Sequence, residues 1–386
     1  MFFGFDEASL RARNAFDTAA EILRQPETLF KTYTQTNGRE EEIESFLNGT
    51  NERSKIILTG AGSSGYVGEA LESALARKRR GIVSAHTTSI VESPEDYFSK
   101  DEPALLVSFA RSGDSPESVA CAALAERLSG GASHLIFTCN KEGGLYKKYS
   151  GKKNALAICM PEETNDKGFA MTSSVTSMML SAYLALSGGK MSARQGDVHS
   201  LVSAVELFFA EKNERLIGLA NGDYDRAAFI GAGLLRAVAS EAALKLTELT
   251  DGKIASLSCG PMSFRHGPKA FINAGKPIVV VFLSEDKYTR MHEVDLLDEL
   301  RREGREVFAV RGGLSFDREN LADDDYLMEI ENRFADGFFL SILQLVFAQS
   351  LAFLFSYAGG FCVDDPVRSG TLSRVVGGVK IHPYVN

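Results

Sequence analysis

The sequence predicts an α/β protein made of two copies of one doubly wound domain, each with a parallel sheet. The segment KIILTGAGSSGYVGEALESAL, from Lys55, resembles RAAFIGAGLLRAVASEAALKL, from Arg226. Later apolar runs recur in the same order: ALLVS (104–108), HLIFT (134–138) and ALAIC (155–159) match IVVVF (278–282), EVFAV (306–310) and YLMEI (326–330). These runs show no polar alternation and are separated by helical sequence, which is typical of parallel strands buried on both faces.

The remaining elements follow in a simple order. A polar helical arm precedes the first copy, and a long apolar helix closes each copy, near 169–187 and 334–358. We therefore expect five segments: helical arm 1–45, first domain 46–195, connecting helix 196–216, second domain 217–362 and tail 363–386. Ligands of doubly wound sheets bind at the carboxyl ends of the strands, so the chemistry is expected in the loops that follow them.

The composition excludes several classes of protein. Apolar residues make up 44% of the 386 residues and charged residues 24%, as in an ordinary globular chain. The net charge of −9 argues against sequence-independent nucleic-acid binding and against a polybasic membrane surface. The five cysteines are widely spaced, which fits reduced thiols in a cytoplasmic protein and gives no signature of a metal site. We also expect no cofactor.

The longest apolar stretch, residues 338–355, approaches the length needed to cross a bilayer. It contains Ser341, Gln344, Gln349 and Ser350, which favour a buried helix instead. The amino-terminal sequence acquires charges before a signal-peptide core can form. We therefore expect no membrane partner.

The first glycine turn, TGAGSSG, favours a phosphate over a dinucleotide. Its three glycines satisfy GxGxxG between a strand and a helix, which alone is a weak signal. A dinucleotide fold also needs an acidic residue at the end of its second strand, and residues 81–89 offer none. Ser63 and Ser64 place hydroxyls beside helix N–H groups, as a phosphate monoester requires. The alternative is that these serines only cap the helix.

The turn after the next buried strand, ARSGDSPES, strengthens the phosphate interpretation. Ser115 is predicted as a helix N-cap, with Pro116 at the first helical position and Gly113 at positive φ. The hydroxyls of Ser112 and Ser115 and the charge of Arg111 are groups that neutralise a phosphate. A well-capped helix without a ligand remains the alternative.

A third loop, MPEETNDKGFAMTSS (160–174), is rich in groups that hydrogen-bond hydroxyls. Glu163, Thr164 and Thr172, together with Gly62 of the first turn, are therefore candidate sugar-binding residues. A plain surface loop accounts for the same composition.

Acid and base candidates occur in the second copy. Glu241, Lys245 and Glu248 share one face of a predicted helix, which by itself is typical of a solvated stripe of ion pairs. A predicted loop, residues 251–272, follows directly and carries His266 before a Gly-Pro turn. Histidine changes protonation near neutrality, as general acid–base catalysis requires, although a lone histidine is usually only a loop or core residue.

Five strings carry a resemblance to a known family: SFARSGDSPES, PEETNDKGFAMTSS, FRHGPKAF, YTRMHEVDLLDELRR and SGTLSRVVGGVKIHP. They resemble the AgaS family of galactosamine-6-phosphate deaminases, also described as tagatose-6-phosphate ketose/aldose isomerases. The two copies resemble SIS (sugar isomerase) domains, which implies three-layer, flavodoxin-like folds that bind phosphosugars. The family also implies a homodimer or a dimer of dimers.

A more distant resemblance, to the isomerase half of glucosamine-6-phosphate synthase, implies roles for individual residues. Its phosphate loops match Ser63 and Ser64, and Arg111, Ser112 and Ser115. Its enolisation base matches Glu248 and an adjacent lysine matches Lys245. Its ring-opening histidine matches His266, which by the same resemblance reaches the site of a neighbouring subunit. Its C-terminal lysine falls on Arg374, which keeps the charge but removes a Schiff-base amine.

The resemblance implies an enzyme that converts galactosamine 6-phosphate to tagatose 6-phosphate and ammonia, a hydrolytic deamination within carbohydrate metabolism. Two alternatives stay open beside it, namely an aldose/ketose 6-phosphate isomerase without deamination and a non-catalytic phosphosugar-sensing SIS protein. A dinucleotide-dependent oxidoreductase is disfavoured because the ribose-binding acid is missing.

Overall fold

Two parallel sheets organise the chain in the computed structural model, which describes residues 2–76, 78–79, 81–210, 214–323, 325–367, 370, 373–374 and 377–385. Two compact units result, each assembled from three separate pieces of chain. The first-sheet unit comprises Lys31–Asn165, Ser173–Arg194 and Gly370–Asn386. The second-sheet unit comprises Met1–Phe30, Asp166–Thr172 and Gln195–Ser369.

The strands and helices are numbered in chain order. The strands are β1 Lys55–Gly60, β2 Ile82–His86, β3 Ala104–Ala110, β4 Ala132–Thr138, β5 Ala155–Cys159, β6 Arg226–Ile230, β7 Ala255–Cys259, β8 Pro277–Leu283, β9 Val307–Gly313 and β10 Tyr326–Glu329. The helices are α1 Glu7–Ala12, α2 Phe16–Leu23, α3 Gln25–Asn37, α4 Glu40–Gly49, α5 Ser63–Leu75, α6 Thr87–Glu92, α7 Pro116–Leu128, α8 Gly144–Tyr149, α9 Ser173–Leu186, α10 Gln195–Ala210, α11 Glu214–Ala220, α12 Leu234–Leu249, α13 Pro261–Phe264, α14 Lys287–Arg302 and α15 Phe338–Ala358.

The first sheet has the strand order β2-β1-β3-β4-β5 and is parallel throughout. Helix α5 packs against α9, while α6, α7 and α8 enclose a core that includes Ile57, Leu106 and Ile136. Helices thus cover both faces, and the order is that of flavodoxin-like folds. The prediction of a three-layer, doubly wound domain is confirmed.

The second sheet repeats this plan with the order β10-β9-β8-β6-β7, again parallel throughout. Numbered within its own copy, it has the same order as the first sheet. Helix α12 packs against α15, and α13 and α14 pack around a core that includes Ala228, Val279 and Leu297. The predicted internal repeat is therefore confirmed.

The strand ladders correct the alignment of the two copies by one residue at the third strand. Lys55 pairs with Ala104, and its counterpart Arg226 pairs with Pro277. Ala104 therefore corresponds to Pro277, whereas the apolar runs matched it to Ile278. Composition alone cannot fix a register inside a uniformly apolar run, because every neighbouring residue satisfies the same burial.

Strand β7 lies within residues 251–272, which the sequence pattern predicts as a loop. It is an edge strand that pairs only with β6, and most of its residues are half-buried or exposed. Its sequence, ASLSC, therefore carries no continuous apolar run. The expectation of a loop is wrong for residues 255–259.

The glycine turns of the two copies have nearly the same backbone. Gly62 has φ 56° and ψ −130°, and Gly233 has φ 52° and ψ −123°. A Cβ on Gly60 would lie 2.4 Å from the Ser64 backbone, so only glycine lets the strand approach the helix this closely. The repeat thus extends to the conformation of the turn where each sheet meets its first helix.

Helix α15 is long and apolar enough to cross a membrane by composition, but its whole apolar window is buried. The ring of Phe347 contacts those of Phe208, Phe282 and Phe308. The Gln344 amide donates to the Leu283 carbonyl at 3.1 Å, which satisfies a polar group inside the core. The prediction of a buried helix is confirmed.

The predicted arm is helical, since α1 to α4 occupy it. The predicted connecting segment contains α10 and α11, on the two sides of residues 211–213, which lie outside the described residues. Asp364 caps α2 from far along the chain, accepting from the N–H groups of Asp17 (3.0 Å) and Thr18 (2.7 Å). The domain boundaries drawn from the sequence remain a prediction.

Candidate active site

The two serines after β1 lie inside helix α5 and do not occupy its N-cap position. Gly62 is the N-cap of α5 and makes no side-chain capping bond, which disfavours the interpretation of Ser63 and Ser64 as simple caps. Both serines are buried at 3% exposure. The Ser64 and Gly65 N–H groups bond to the carbonyls of Ala61 and Gly62, at 3.2 and 2.9 Å. These two backbone N–H groups are therefore already used within the turn.

The turn after β3 has the local structure that its sequence predicts. Ser115 is the N-cap of α7, Pro116 is the first helical residue, and Gly113 has φ 71°. The Ser115 hydroxyl accepts from the Ser118 N–H at 3.4 Å, so it caps the helix. Ser112 accepts from the Asp114 N–H at 3.3 Å, which tightens the turn. Because β1 and β3 are neighbouring strands, both turns lie at one edge of the first sheet.

The described part of the tail brings a second cation to this edge. Arg111 is buried at 7% exposure, and its guanidinium donates to the Arg374 carbonyl at 2.7 Å. The exposed Arg374 side chain donates to the Asn165 side-chain oxygen, after β5, at 3.3 Å. The tail thus packs specifically within the first-sheet unit. Residues 368–369, 371–372, 375–376 and 386 lie outside the described residues.

The predicted sugar-binding residues of the loop after β5 have different partners, and they do not all belong to the same unit. Glu163 forms an ion pair with Lys31, and both side chains are about 39% exposed. The Thr164 hydroxyl is buried and donates to the Pro161 carbonyl at 2.6 Å, so it stabilises its own loop. Thr172 belongs to the second-sheet unit, where it is buried and its N–H donates to Asp166 at 2.8 Å. Gly62 remains at the turn after β1.

A cavity of about 760 Å³ lies in the first-sheet unit near the ends of β4 and β5. Its lining includes Arg39, Lys141, Glu142, Glu162 and Asn165. The hydroxyl-bearing turns after β1 and β3 do not contribute to this lining. The cavity is therefore distinct from the predicted phosphate site, and Asn165, which Arg374 contacts, joins its wall to the tail.

Helix α12 buries the ionic network that the sequence pattern predicts as a solvated stripe. Lys245 is 1% exposed and its Nζ lies 3.6 Å from the Glu241 carboxylate, which is also buried. The same ammonium contacts Glu248, whose side chain is 24% exposed. The solvated interpretation is wrong, because α15 packs against α12. Glu248 is the member of the three that reaches solvent with a cation fixed beside it, as a proton-transfer group requires.

His266 lies on the turn after α13, in the second-sheet unit, with an exposed side chain. The turn is held by its neighbours. Arg265 contacts Glu299 of α14 at 2.6 Å, and Lys269 forms ion pairs with Glu299 and Glu303. The imidazole is thus exposed to solvent on an anchored turn. His266 belongs to the same unit as Lys245 and Glu248, whereas the serine turns belong to the first-sheet unit.

One buried carboxylate has no sequence signal. Glu21 of α2 is 3% exposed, and it accepts from the N–H groups of Lys167 and Gly168, the latter at 3.2 Å. Burial, and then the nearby Asp166 carboxylate, raise the pKa of Glu21 to about 8, against its ordinary 4.5. The protonated Glu21 side chain therefore holds the segment 166–172, which lies within the string PEETNDKGFAMTSS.

The free energy of unfolding should depend on this proton. The raised pKa means that the folded state holds a proton that the unfolded state releases above about pH 4.5. The contribution of Glu21 to stability is therefore fully present below that pH and is lost as the pH rises through about 8. We expect Glu21→Gln to remove a pH-dependent loss of about 4 kcal/mol, measured by urea unfolding from pH 5 to 9. Glu41→Gln, at an exposed site on α4, is the control, and an unchanged pH profile of Glu21→Gln would contradict the assignment.

The end of β2 bears on the dinucleotide alternative. The strand ends at His86, not at an acidic residue, and the His86 ring would collide with a Cβ on Gly65 at 2.3 Å. His86 also contacts Glu69 at 3.0 Å. Gly65, the third glycine of the turn, thus leaves room for the His86 ring. The ribose-binding acid is missing at the position where a dinucleotide fold needs it.

The chain has two doubly wound units. One of them carries hydroxyl-rich turns and two arginines at the carboxyl ends of its strands. These features point to a class of sugar-phosphate-binding proteins. Residues 50–188 match the SIS domain family, so this is a SIS-domain protein. The chain is 36% identical over 371 residues to the D-galactosamine-6-phosphate deaminase AgaS of Escherichia coli. The alignment covers 95% of this chain and 96% of that protein. The chain belongs to the AgaS family, and it is an enzyme.

Solved structures agree with this assignment. The fold matches a Clostridium novyi NT protein, provisionally described as a tagatose-6-phosphate ketose/aldose isomerase, with a TM-score of 0.95 and 38% identity over 100% of this chain and 99% of that one. It also matches the tagatose-6-phosphate ketose/aldose isomerase of Escherichia coli, with a TM-score of 0.83 and 32% identity over 96% and 97% of the two chains.

Proposed function

We propose that this enzyme converts galactosamine 6-phosphate and water to tagatose 6-phosphate and ammonia. The observation that carries the proposal is the nearly full-length match to D-galactosamine-6-phosphate deaminase AgaS. The site residues support it, since the first-sheet unit gathers hydroxyls and cations suited to a phosphate, and the second-sheet unit supplies a proton-transfer carboxylate.

The phosphate is bound by the turns after β1 and β3. Ser63, Ser64, Ser112 and Ser115 donate hydroxyl hydrogen bonds, and Arg111 supplies a fixed positive charge. Burial of Arg111 against the Arg374 carbonyl supports this role, because a cation held in one geometry loses little entropy when the anion arrives. The overall charge of −9 repels an anion, so binding depends on these local groups.

Catalysis proceeds by ring opening and proton transfer. His266 moves a proton between the ring oxygen and O1, which gives the open-chain aldehyde. Glu248 takes the proton from C2 and returns it to C1, through an enolamine whose O1 charge is stabilised by Lys245 or Arg374. The C2 imine then adds water and releases ammonia, leaving the C2 carbonyl of the ketose. Sugar hydroxyls are positioned by Gly62, Glu163, Thr164 and Thr172.

The deciding experiment is incubation of the enzyme with galactosamine 6-phosphate in heavy water. We expect stoichiometric ammonia and tagatose 6-phosphate, with solvent deuterium at C1. A panel with glucosamine 6-phosphate and the two non-amino hexose 6-phosphates reads the specificity for the axial hydroxyl and the amine. Tight binding of the sugar phosphate with neither ammonia nor deuterium incorporation would exclude the enzyme function proposed here.

The second candidate is aldose/ketose isomerisation without deamination. The similarity to tagatose-6-phosphate ketose/aldose isomerases supports it. The same proton transfer between C2 and C1 serves both reactions, so the substrate panel is needed to separate them. An enzyme that turns over galactose 6-phosphate but not galactosamine 6-phosphate would favour the isomerase.

The assembly and location are part of the same proposal. We expect a cytoplasmic homodimer, or a dimer of dimers, in which His266 completes the site of the neighbouring subunit. Its exposed side chain on an anchored turn supports this role. The five cysteines are all free thiols, as suits a reducing compartment. Mixing His266→Ala and Glu248→Gln subunits tests the shared site, since hybrid dimers would regain one complete site.

A further inference from the structure

The imidazole of His86 lies beside the first glycine turn and has no part in the reaction proposed above. His86 is the last residue of β2 and pairs with Gly60, the last residue of β1, in the parallel ladder. A Cβ on Gly65 would lie 2.3 Å from the His86 Nδ1 atom, so the ring contacts the first turn of α5 directly. That turn begins with Ser63 and Ser64. The imidazole therefore lies where the end of β2 meets the proposed phosphate site.

Two side chains of α5 hold the His86 ring against the helix. The ring Nε2 atom lies 3.0 Å from the Glu69 carboxylate, and because a carboxylate only accepts, we assign the hydrogen to Nε2. The Tyr66 ring meets the imidazole edge to face, with the two centroids 5.3 Å apart. The ring is thus fixed by a charge-assisted hydrogen bond as well as by packing.

Two strands therefore fix the first turn of α5. Strand β1 approaches Ser64 so closely that a Cβ on Gly60 would lie 2.4 Å from its backbone, and the His86 ring contacts the next residue of the helix. Further along α5, the Glu72 carboxylate accepts from the Ser84 N–H of β2 at 3.1 Å. The direction of a hydroxyl follows the orientation of the helix that carries it, and a misaligned hydrogen bond is weak. A contact that fixes this turn should therefore affect the affinity for phosphate.

The second copy fills the same position from the opposite side. Gly260 corresponds to His86, because each is the N-cap of the short helix that follows the second strand. Arg236 corresponds to Gly65, because each is the third residue of its helix. The Arg236 guanidinium lies 3.5 Å from the position that a Cβ on Gly260 would take. Each copy thus combines one basic side chain with one glycine here, and the first copy keeps the glycine on the helix that bears the serines.

We propose that His86, held by Glu69, is a positioning residue that keeps the two serine hydroxyls of the turn directed toward the phosphate. The proposal rests on the proposed function, because these serines are taken to bind the phosphate of the substrate. His86 itself transfers no proton in the reaction. Its removal should therefore weaken binding and leave the chemical step, which depends on Glu248, nearly unchanged.

The test combines the Kd of inorganic phosphate, measured by calorimetry on the full-length protein, with KM and kcat for galactosamine 6-phosphate. His86→Ala should raise Kd and KM about tenfold, as expected for one lost hydrogen bond to a charged group, with kcat nearly unchanged. His86→Gln keeps an N–H group within reach of Glu69 and should restore most of the affinity. The control is His199→Ala, which removes an exposed imidazole from α10 in the second-sheet unit and should change none of the three quantities.

Glu69→Ala tests the same contact from the helix, and it replaces His86→Ala if that variant does not fold. The Glu69 side chain is 34% exposed, so its removal should be tolerated. The double variant His86→Ala with Glu69→Ala should bind phosphate no more weakly than either single variant, because both remove one contact.

The outcomes separate this inference from the proposed function. A lower Tm with an unchanged Kd, additive effects of the two substitutions, or equal losses in His86→Gln and His86→Ala would each overturn the positioning role. A wild type that binds no phosphate would overturn the phosphate site and this role together. Phosphate binding that depends on His86 in a protein that releases no ammonia would support the positioning role and contradict the deaminase function alone.

Discussion

Glu248→Gln should lower the turnover of galactosamine 6-phosphate by about 10²–10⁴-fold, because an amide cannot carry the proton between C2 and C1. The replacement keeps the shape of the side chain, and Glu248 is partly exposed, so the fold should be retained. Ammonia release and deuterium incorporation at C1 measure the effect. Phosphate binding should change little, since the serine turns belong to the other unit.

The matched control is Glu206→Gln, on the exposed side of α10, which should leave turnover at the wild-type value. A Glu248→Gln enzyme with nearly normal turnover would remove Glu248 as the base. Loss of both turnover and phosphate binding would instead point to a structural role for this side chain.

Lys245→Ala should destabilise the protein by about 3–5 kcal/mol, because it removes the cation from a buried ionic network. Lys245 and Glu241 are both almost fully buried, and the lysine Nζ lies 3.6 Å from the Glu241 carboxylate. Without the ammonium, that carboxylate stays desolvated without its counter-charge. Urea unfolding measures the loss, and the substitution should also impair the turnover that depends on Glu248.

The double variant Lys245→Met with Glu241→Gln is the informative comparison. It removes both charges, so much of the lost stability should return, and the coupling between the two sites follows from the double-mutant cycle. Lys253→Ala, at an exposed site soon after the same helix, should change stability by no more than about 0.5 kcal/mol. Additive effects of the two buried substitutions would contradict the network.

Local sequence predicts those features whose causes are local. The paired turns at Gly62 and Gly233 follow from the need for positive φ, and the cap at Ser115 follows from its neighbours Pro116 and Gly113. The apolar strands are equally visible, because burial on both faces imposes a continuous run. The α/β class and the two copies could therefore be predicted, apart from one edge strand and one residue of register.

Features caused by distant contacts could not be predicted in this way. The burial of Glu241 and Lys245 depends on α15, roughly a hundred residues further along, so their spacing fits a solvated helix equally well. Glu21 acquires its raised pKa from backbone N–H groups in the segment 166–172. The proposed active-site chemistry rests on residue types and resemblance, whereas the burial of the charged groups around it follows only from the three-dimensional structure.

The piecewise construction of each unit has a consequence for synthesis in the cell. The strands of the first sheet are complete at Cys159, yet its unit also requires residues 370–386 from the far end of the chain. Until the ribosome delivers Arg374, Arg111 has no tail carbonyl to hold its guanidinium. The edge that we propose to bind the phosphate is thus among the last parts to be finished, and a prematurely terminated chain would carry the five strands without the tail contact.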